Sequence, residues 1–100
     1  MGGEVSWHVE LRVRPGQLEN FRRLTSEMVA VTRRERGALS YQRFVSEDGT
    51  TVHAYERYSD SGAAVAHLEV FAERFATRFS AMAERKTFTV QCSIDSIQYI

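Results

Sequence analysis

The side chains most suited to acid–base chemistry in this chain are three histidines, His8, His53 and His67, and the carboxylate of Glu56. Imidazole ordinarily titrates near pH 6.5, so each histidine can exchange a proton close to neutrality. His67 falls about 80° from the centre of the apolar stripe of its predicted helix, one turn before Phe71. A residue there can face a gap between helix and sheet, as a base, an acid or a ligand of a metal or haem iron. Periodicity alone favours the simpler interpretation, a half-exposed helix histidine.

Glu56 shares a strand with His53, but the odd separation of the two residues points them to opposite faces of a sheet. Glu56 instead shares its face with apolar residues, where an unpaired carboxylate is costly. Two interpretations stay open. Glu56 forms a structural ion pair with a residue such as Arg43, or it lies in a functional cavity with a raised pKa.

A metal site is not expected. A set made of His8, His53, Glu56 and His67 would match a two-histidine, one-carboxylate site in number only, because no close ligand spacing is present. His8 lies among the polar residues of its strand, as a sheet-surface or dimer-interface residue would.

Hydrophobic periodicity defines the elements that must position these groups. Residues Val5 to Val13 alternate and predict a strand whose apolar face carries Trp7. Apolar residues at spacings of three and four then predict an amphipathic helix that opens near Pro15, with Gly37 as a left-handed cap at its end. That stripe comprises Leu18, Phe21, Leu24, Met28 and Val31, and the basic cluster near the helix end comprises Arg33, Arg34 and Arg36, which suit the negative end of the dipole.

A hairpin follows the first helix. Strands are predicted over Leu39–Ser46 and Thr51–Tyr58, joined by a turn containing Asp48-Gly49. Ser59-Asp60-Ser61 supplies an N-cap for a second helical region. Its apolar stripe is long for one helix, so a break is predicted near Ala72 to Thr77. The stripe comprises Ala64, Leu68, Phe71, Phe75, Phe79 and Met82.

A last strand is predicted from Thr87, with Cys92 on its apolar face as an inert core thiol beside Phe88, Val90 and Ile94. The alternation changes parity between Ile94 and Ile97, which predicts a bulge or kink at Asp95-Ser96.

The resulting order, β-α-β-β-α-β, predicts an α+β, ferredoxin-like fold with an antiparallel sheet and both helices on one face. Bulky groups occupy both sheet faces, for example Val45 against Phe44 and Val52 against Tyr55. Leaving the second face in water would expose a large apolar patch, so a homodimer that packs sheet against sheet is expected.

Composition narrows the function classes. The chain has 100 residues, 13 basic against 13 acidic, and one cysteine. This size predicts a single domain over residues 1–100. The balanced charge argues against nucleic-acid binding, which needs a surplus of basic residues. The lone cysteine excludes an internal disulfide. No apolar run approaches a membrane span and no secretion signal is present, so a cytoplasmic location is expected. Gly-rich phosphate loops and common hydrolase motifs are absent from the sequence.

The middle of the chain resembles the antibiotic biosynthesis monooxygenase family. The resemblance lies in Glu35-Arg36-Gly37-Ala38-Leu39-Ser40-Tyr41, the hairpin with Asp48-Gly49, Tyr55-Glu56-Arg57-Tyr58-Ser59-Asp60 and Ala64-Val65-Ala66-His67-Leu68. The corresponding family patterns are E-x-G-x-x-x-Y, E-x-W/Y-x-(S/D) and A-x-x-x-H. It implies a dimeric α+β barrel with a pocket between helices and sheet in each subunit. Carried over by position, Tyr41, Glu56 and His67 become the candidate catalytic residues.

The resemblance also implies an oxidoreductase that acts without metal, flavin or other cofactor on a small aromatic, a quinol or polyketide-type phenol, with dioxygen. His67 would be the base, and Glu56 or Tyr41 would position it or the substrate oxygen. The candidate substrate-binding residues are Trp7, Phe21, Tyr58 and Phe71. Tyr58 stands where many members have Trp, and His8 and Glu10 stand where haem-degrading members use Asn, so haem is disfavoured. The alternatives are a non-catalytic ligand-binding dimer and a haem-degrading or isomerase member of the superfamily.

Overall fold

A computed structural model describes residues 3–92. These residues form four strands and three helices. They are β1 (Val5–Val13), α1 (Leu18–Thr32), β2 (Ala38–Val45), β3 (Thr51–Tyr58), α2 (Ser61–Arg74), α3 (Ala76–Met82) and β4 (Ala83–Cys92). The strands form one sheet in the order β2-β3-β1-β4, with every neighbouring pair antiparallel. This arrangement confirms the predicted ferredoxin-like α+β fold.

The helices cover one face of the sheet, which we call the inner face. Alternate residues of β1 point towards them, and Phe21 of α1 packs with Leu11 of β1, whereas Ala64 of α2 packs with Trp7. Leu24 of α1 and Phe75 join the helices to each other. Burying these apolar side chains supplies the main free energy that holds helices on sheet.

The first helix begins later than predicted. Pro15 and Gly16 form a turn before it, because Gly16 has φ of +78° and cannot be helical. The apolar stripe is otherwise confirmed, with Phe21, Leu24 and Met28 buried. The arginine cluster lies just beyond the end of the helix at Thr32 rather than in its last turn.

Gly37 does not form the predicted left-handed cap, since its φ is not positive. It is instead a point of close approach between the turn after α1 and the start of α2. A Cβ built on Gly37 would collide with the Cβ of Ala63 and would lie 2.9 Å from the Oγ of Ser59. The carbonyl of Gly37 also accepts a 2.8 Å hydrogen bond from the backbone N–H of Ser59.

Gly37→Ala is therefore expected to destabilise the fold by about 1–3 kcal/mol, the usual cost of forcing extra volume into a packed contact. Gly62→Ala is the matched control, because a Cβ there meets nothing closer than 3.4 Å and the residue lies in α2. It should stabilise by up to about 1 kcal/mol, since alanine favours helix over glycine. Urea unfolding of both variants measures the difference, and equal effects would contradict the proposed contact.

The second helical region breaks as predicted. Helix α2 ends at Arg74 and α3 begins at Ala76, with Phe75 between them. Asp60 caps α2, and its carboxylate accepts a hydrogen bond from the backbone N–H of Ala63 at 2.8 Å. Within the predicted stripe, Ala64 and Phe75 are buried and Phe71, Phe79 and Met82 are half-buried. Leu68 is exposed, whereas the neighbouring His67 is 6% exposed.

Strand β4 begins at Ala83, four residues before the predicted start at Thr87. The pairing of β1 with β4 shifts register between Glu10 and Leu11 of β1. This shift changes the parity of β4 after Arg85, so no single alternating pattern runs through β4. Cys92 is an exposed free cysteine, so the expectation of a core thiol was wrong. The predicted bulge at Asp95-Ser96 and the face of Ile94 lie outside the described residues.

The other side of the sheet, which we call the outer face, is not covered by helices. His8 and His53 meet there, with His8 Nε2 2.9 Å from His53 Nδ1, and Tyr55 stacks on His8. Phe44 is 56% exposed beside Tyr55. The opposite orientations of His53 and Glu56 are thus confirmed, and packing of this face against a second copy stays a prediction.

Within residues 3–92, none of the helices has the length and apolar character needed to cross a membrane.

Candidate active site

A cavity of about 340 Å³ lies between the inner face of the sheet and the helices. Its walls are largely apolar and include Trp7 of β1, Phe71 of α2 and Phe88 of β4. Its polar side chains come from five elements: Tyr41 and Arg43 on β2, Glu56 on β3, His67 on α2, Ser80 on α3 and Arg85 on β4. The volume falls in the range of pockets that hold small organic ligands.

His67 lies between two carboxylates. Its Nδ1 is 2.8 Å from Oε1 of Glu35, in the turn after α1, and its Nε2 is 3.4 Å from Oε1 of Glu56. The side chains of His67 and Glu56 are 7% and 5% exposed. A carboxylate at each ring nitrogen favours the doubly protonated imidazolium, which can donate from both.

Glu56 is held on both of its oxygens. Oε1 accepts a 2.6 Å hydrogen bond from the Tyr58 hydroxyl, and Oε2 accepts a 3.0 Å hydrogen bond from Nη2 of Arg43. The ion pair with Arg43 is therefore present, and Glu56 also lines the cavity, but the raised pKa of the second interpretation is not found. Cross-strand pairing explains the geometry, because Tyr41 lies directly opposite Glu56 and Arg43 follows two residues later on the same face.

These contacts determine the direction in which the pKa values of Glu56 and His67 are shifted. Burial opposes a charged Glu56 and is the largest effect on its pKa, yet His67, Arg43 and Tyr58 together hold that pKa below its usual range. The raised pKa that a cavity alone would have produced is thus not found. Burial also opposes a charged His67, but Glu56 and Glu35 outweigh it and raise the pKa of His67 above its ordinary value.

The same shifts predict how stability depends on pH. A raised pKa for His67 adds stability that is fully present below pH 6.5 and is lost as the pH rises through the folded-state value. A lowered pKa for Glu56 adds stability that is present above pH 4.5 and is lost as the pH falls through its folded-state value. We expect the free energy of unfolding from urea titrations to be highest between about pH 4.5 and 6.5.

His67→Gln provides the control for the alkaline limb of that profile. The variant lacks the titrating imidazole, so its stability should fall less between pH 6.5 and pH 9 than that of the wild type. Parallel profiles for the two proteins would contradict the assignment of this limb to His67.

Tyr41 also contributes a polar side chain to the cavity. The Arg43 guanidinium carbon lies 3.6 Å from the centre of the Tyr41 ring, and the Tyr41 and His67 rings meet edge to face at 5.4 Å. Burial raises the pKa of Tyr41 to about 12, with smaller opposing effects from Arg43 and the Thr32 side chain. Tyr41 is therefore a neutral phenol at physiological pH.

The structure brings five of the seven predicted site residues onto one cavity: Trp7, Tyr41, Glu56, His67 and Phe71. Tyr58 does not line it. The Tyr58 side chain is fully buried behind Glu56, and burial followed by the charge of Glu56 raises its pKa. Phe21 does not line the cavity either, because it packs in the core beside a separate groove between α1 and the edge strand β2.

Four polar residues at the site are not among the predicted site residues: Arg43, Ser80 and Arg85, which line the cavity, and Glu35, which contacts His67. Arg43 was considered only as an ion-pair partner, although alternation on β2 places it on the face of Tyr41. Glu35 lies 32 positions before His67 in an irregular turn, so no periodicity links the two. Its position as the first residue of the E-x-G-x-x-x-Y pattern was the available signal.

Within residues 3–92, no group of three or more histidine, cysteine or acidic side chains is arranged to hold a metal ion.

Solved structures share this fold. Rv0793 from Mycobacterium tuberculosis is 25% identical with a TM-score of 0.80, over 93% of this chain and 97% of that one. MupZ from Pseudomonas fluorescens is 24% identical with a TM-score of 0.80, over 90% of this chain and 68% of that one. SnoaB from Streptomyces nogalater, a cofactor-independent oxygenase, is 17% identical with a TM-score of 0.78, over 91% and 93%.

A sequence search of curated proteins found no match. The family model described as antibiotic biosynthesis monooxygenase matches residues 5–70, which include Glu35, Tyr41, Glu56 and His67. That match extends over more than half of the chain and includes four of the polar residues that line the cavity, Tyr41, Arg43, Glu56 and His67. The chain belongs to the antibiotic biosynthesis monooxygenase family.

Proposed function

We propose that this protein is a cofactor-independent monooxygenase that oxidises a small phenol or quinol with dioxygen, using His67 as the general base. The observation that carries the proposal is the position of the His67 imidazole on a largely apolar cavity, next to Glu56 and Tyr41. Family membership supports an oxygenase role, and SnoaB, with the same fold, is a cofactor-independent oxygenase.

The reaction needs little from the protein beyond a base, a dry pocket and orientation. Removing the phenolic proton gives an electron-rich phenolate that can pass one electron to dioxygen, and the resulting radical pair joins to form a carbon–oxygen bond. The O–O bond then breaks. One oxygen atom stays on the ring carbon, and the other leaves as water with the two hydrogens that the substrate has lost.

His67 would accept the phenolic proton, and Glu56 would stabilise the imidazolium that forms. Tyr41, as a neutral phenol, would orient the substrate oxygen or the imidazole. Trp7 and Phe71 would exclude water and pack against the aromatic ring. The raised pKa of His67 makes it a stronger base than free imidazole, at the cost that a smaller fraction is unprotonated at neutral pH.

The test is oxygen consumption with a panel of phenols, quinols and anthrones, in the presence of a chelator and with product analysis. We expect one product oxygen atom from ¹⁸O₂ and a rate that rises with pH above 6.5, as His67 loses its proton. Binding without oxygen uptake would favour a non-catalytic dimer, and anaerobic conversion would favour an isomerase. A Soret shift on addition of haem would favour a haem-degrading enzyme.

We further propose that the protein acts as a homodimer in the cytoplasm. The exposed aromatic side chains of the outer face, Phe44 and Tyr55, support sheet-to-sheet packing of two copies, because an exposed apolar patch is seldom left in water. Substrate and dioxygen would then be the small-molecule partners of each subunit.

A further inference from the structure

Glu35 contacts His67 from behind the cavity. Its Oε1 lies 2.8 Å from Nδ1 of His67, at hydrogen-bonding distance, and the Glu35 side chain is 19% exposed. Glu35 is not among the residues that line the cavity, so it does not meet a molecule bound there. Any effect of Glu35 on chemistry in the cavity must therefore act through the imidazole.

The second ring nitrogen of His67 is held less firmly. Its Nε2 lies 3.4 Å from Oε1 of Glu56, and that oxygen already accepts a 2.6 Å hydrogen bond from Tyr58. The short contact at Nδ1 and the longer one at Nε2 distinguish the two nitrogens. A hydrogen bond at one nitrogen of a neutral imidazole fixes its tautomer and leaves the other nitrogen as the proton acceptor.

Aromatic rings restrict the orientation of the imidazole. The ring centres of Tyr58, Tyr41 and Trp7 lie 5.0, 5.4 and 6.2 Å from that of His67. A ring flip would require these neighbours to move and would break the contact with Glu35. The packing and the carboxylate thus favour the same orientation.

We propose that Glu35 is a positioning residue that holds the proton of neutral His67 on Nδ1, so that Nε2 is the atom that takes the substrate proton. This rests on the proposed function. On transfer, the substrate O–H bond breaks and an Nε2–H bond forms, which leaves an imidazolium whose Nδ1–H still donates to Glu35. The new positive charge is then adjacent to a carboxylate at each nitrogen.

The charged and titratable groups around His67 come from three segments. They are Glu35 in the turn after α1, Tyr41 and Arg43 on β2, and Glu56 and Tyr58 on β3. Glu56 is already neutralised by the Arg43 guanidinium. Glu35 differs, because its Oε2 is buried and makes no hydrogen bond within residues 3–92. The His67 ring is therefore the hydrogen-bonding partner that the described residues give to this carboxylate.

The test is nitrogen NMR of the histidines in the free protein, with His67 assigned by comparison with His67→Gln. Glu35→Gln preserves the shape of the side chain and removes its charge, and we expect the pKa of His67 to fall by about one pH unit or more. In the wild type, the neutral ring should carry its proton on Nδ1. In Glu35→Gln, where the fixed acceptor is weakened, the two tautomers should mix.

Glu27→Gln is the matched control, because it removes one carboxylate from α1 at an exposed pair with Arg78. It should leave the His67 signals unchanged. Glu35→Asp is the second variant, which keeps the charge but retracts it by one methylene, and it should give an intermediate pKa. If both Glu35 variants titrate like the wild type with the same tautomer, the proposal is wrong.

The NMR readout separates this proposal from the proposed function. A shifted His67 titration without oxygen uptake would support the positioning role and overturn the oxygenase. If the oxygenase reaction is found, Glu35→Gln should move the midpoint of the kcat/KM profile to lower pH with little change in KM. An unmoved midpoint would overturn the positioning role.

Discussion

Replacing His67 with alanine should lower the rate of oxygen consumption about 10²- to 10⁴-fold, the usual contribution of a positioned general base. The loss should fall on kcat, because the apolar walls that bind the ring of the substrate are unchanged. Added imidazole should restore part of the rate by occupying the space left by the side chain. Oxygen-electrode assays with an accepted phenol measure both effects.

His53→Gln is the control for that experiment. It removes an imidazole from the opposite face of the same sheet, so the rate should stay near that of the wild type. A folded His67→Ala protein that consumes oxygen at the wild-type rate would show that His67 is not the base.

The largest effect on stability is expected from Arg43→Met. Arg43 is 11% exposed and is the cation paired with Glu56, so its removal leaves a buried carboxylate without its guanidinium. Loss of one partner from a buried ion pair costs about 3–5 kcal/mol, because the remaining charge stays desolvated. Urea unfolding at pH 6 should show this loss as a lower transition midpoint.

Two further variants test the cause. Arg57→Met removes a guanidinium that pairs with Glu4 at the surface, where water screens the charges, and its effect should be far smaller. Arg43→Met combined with Glu56→Gln should recover part of the loss, because no unpaired charge is then buried. If Arg43→Met is no less stable than Arg57→Met, the ion pair does not carry the expected energy.

The fold was predictable because its elements obey simple periods. Strand β3 was predicted with its observed bounds, Thr51–Tyr58, since alternation and the Asp48-Gly49 turn agree. The break at Phe75 followed from an apolar stripe too long for one helix. Strand β4 was less predictable, because Glu84, Arg85 and Lys86 carry no alternating pattern and Lys86 is an extra residue at the register shift, opposite Glu10 and Leu11 of β1.

The site residues were predictable where the period of a strand or helix gives the direction of their side chains. Tyr41, Glu56 and His67 meet as the family resemblance implied, but Glu35 joins them from a turn, where no period assigns a direction to a side chain. Phe21 illustrates the opposite error. Its apolar stripe is real, yet a stripe indicates burial and does not distinguish a packed core from the wall of a cavity.

Alternation along β3 separates two adjacent residues completely. Tyr55 belongs to the outer face and Glu56 to the cavity, so a molecule docked against one does not touch the other. A second copy packed on the outer face would consequently meet Tyr55 of this strand and leave Glu56 to the cavity.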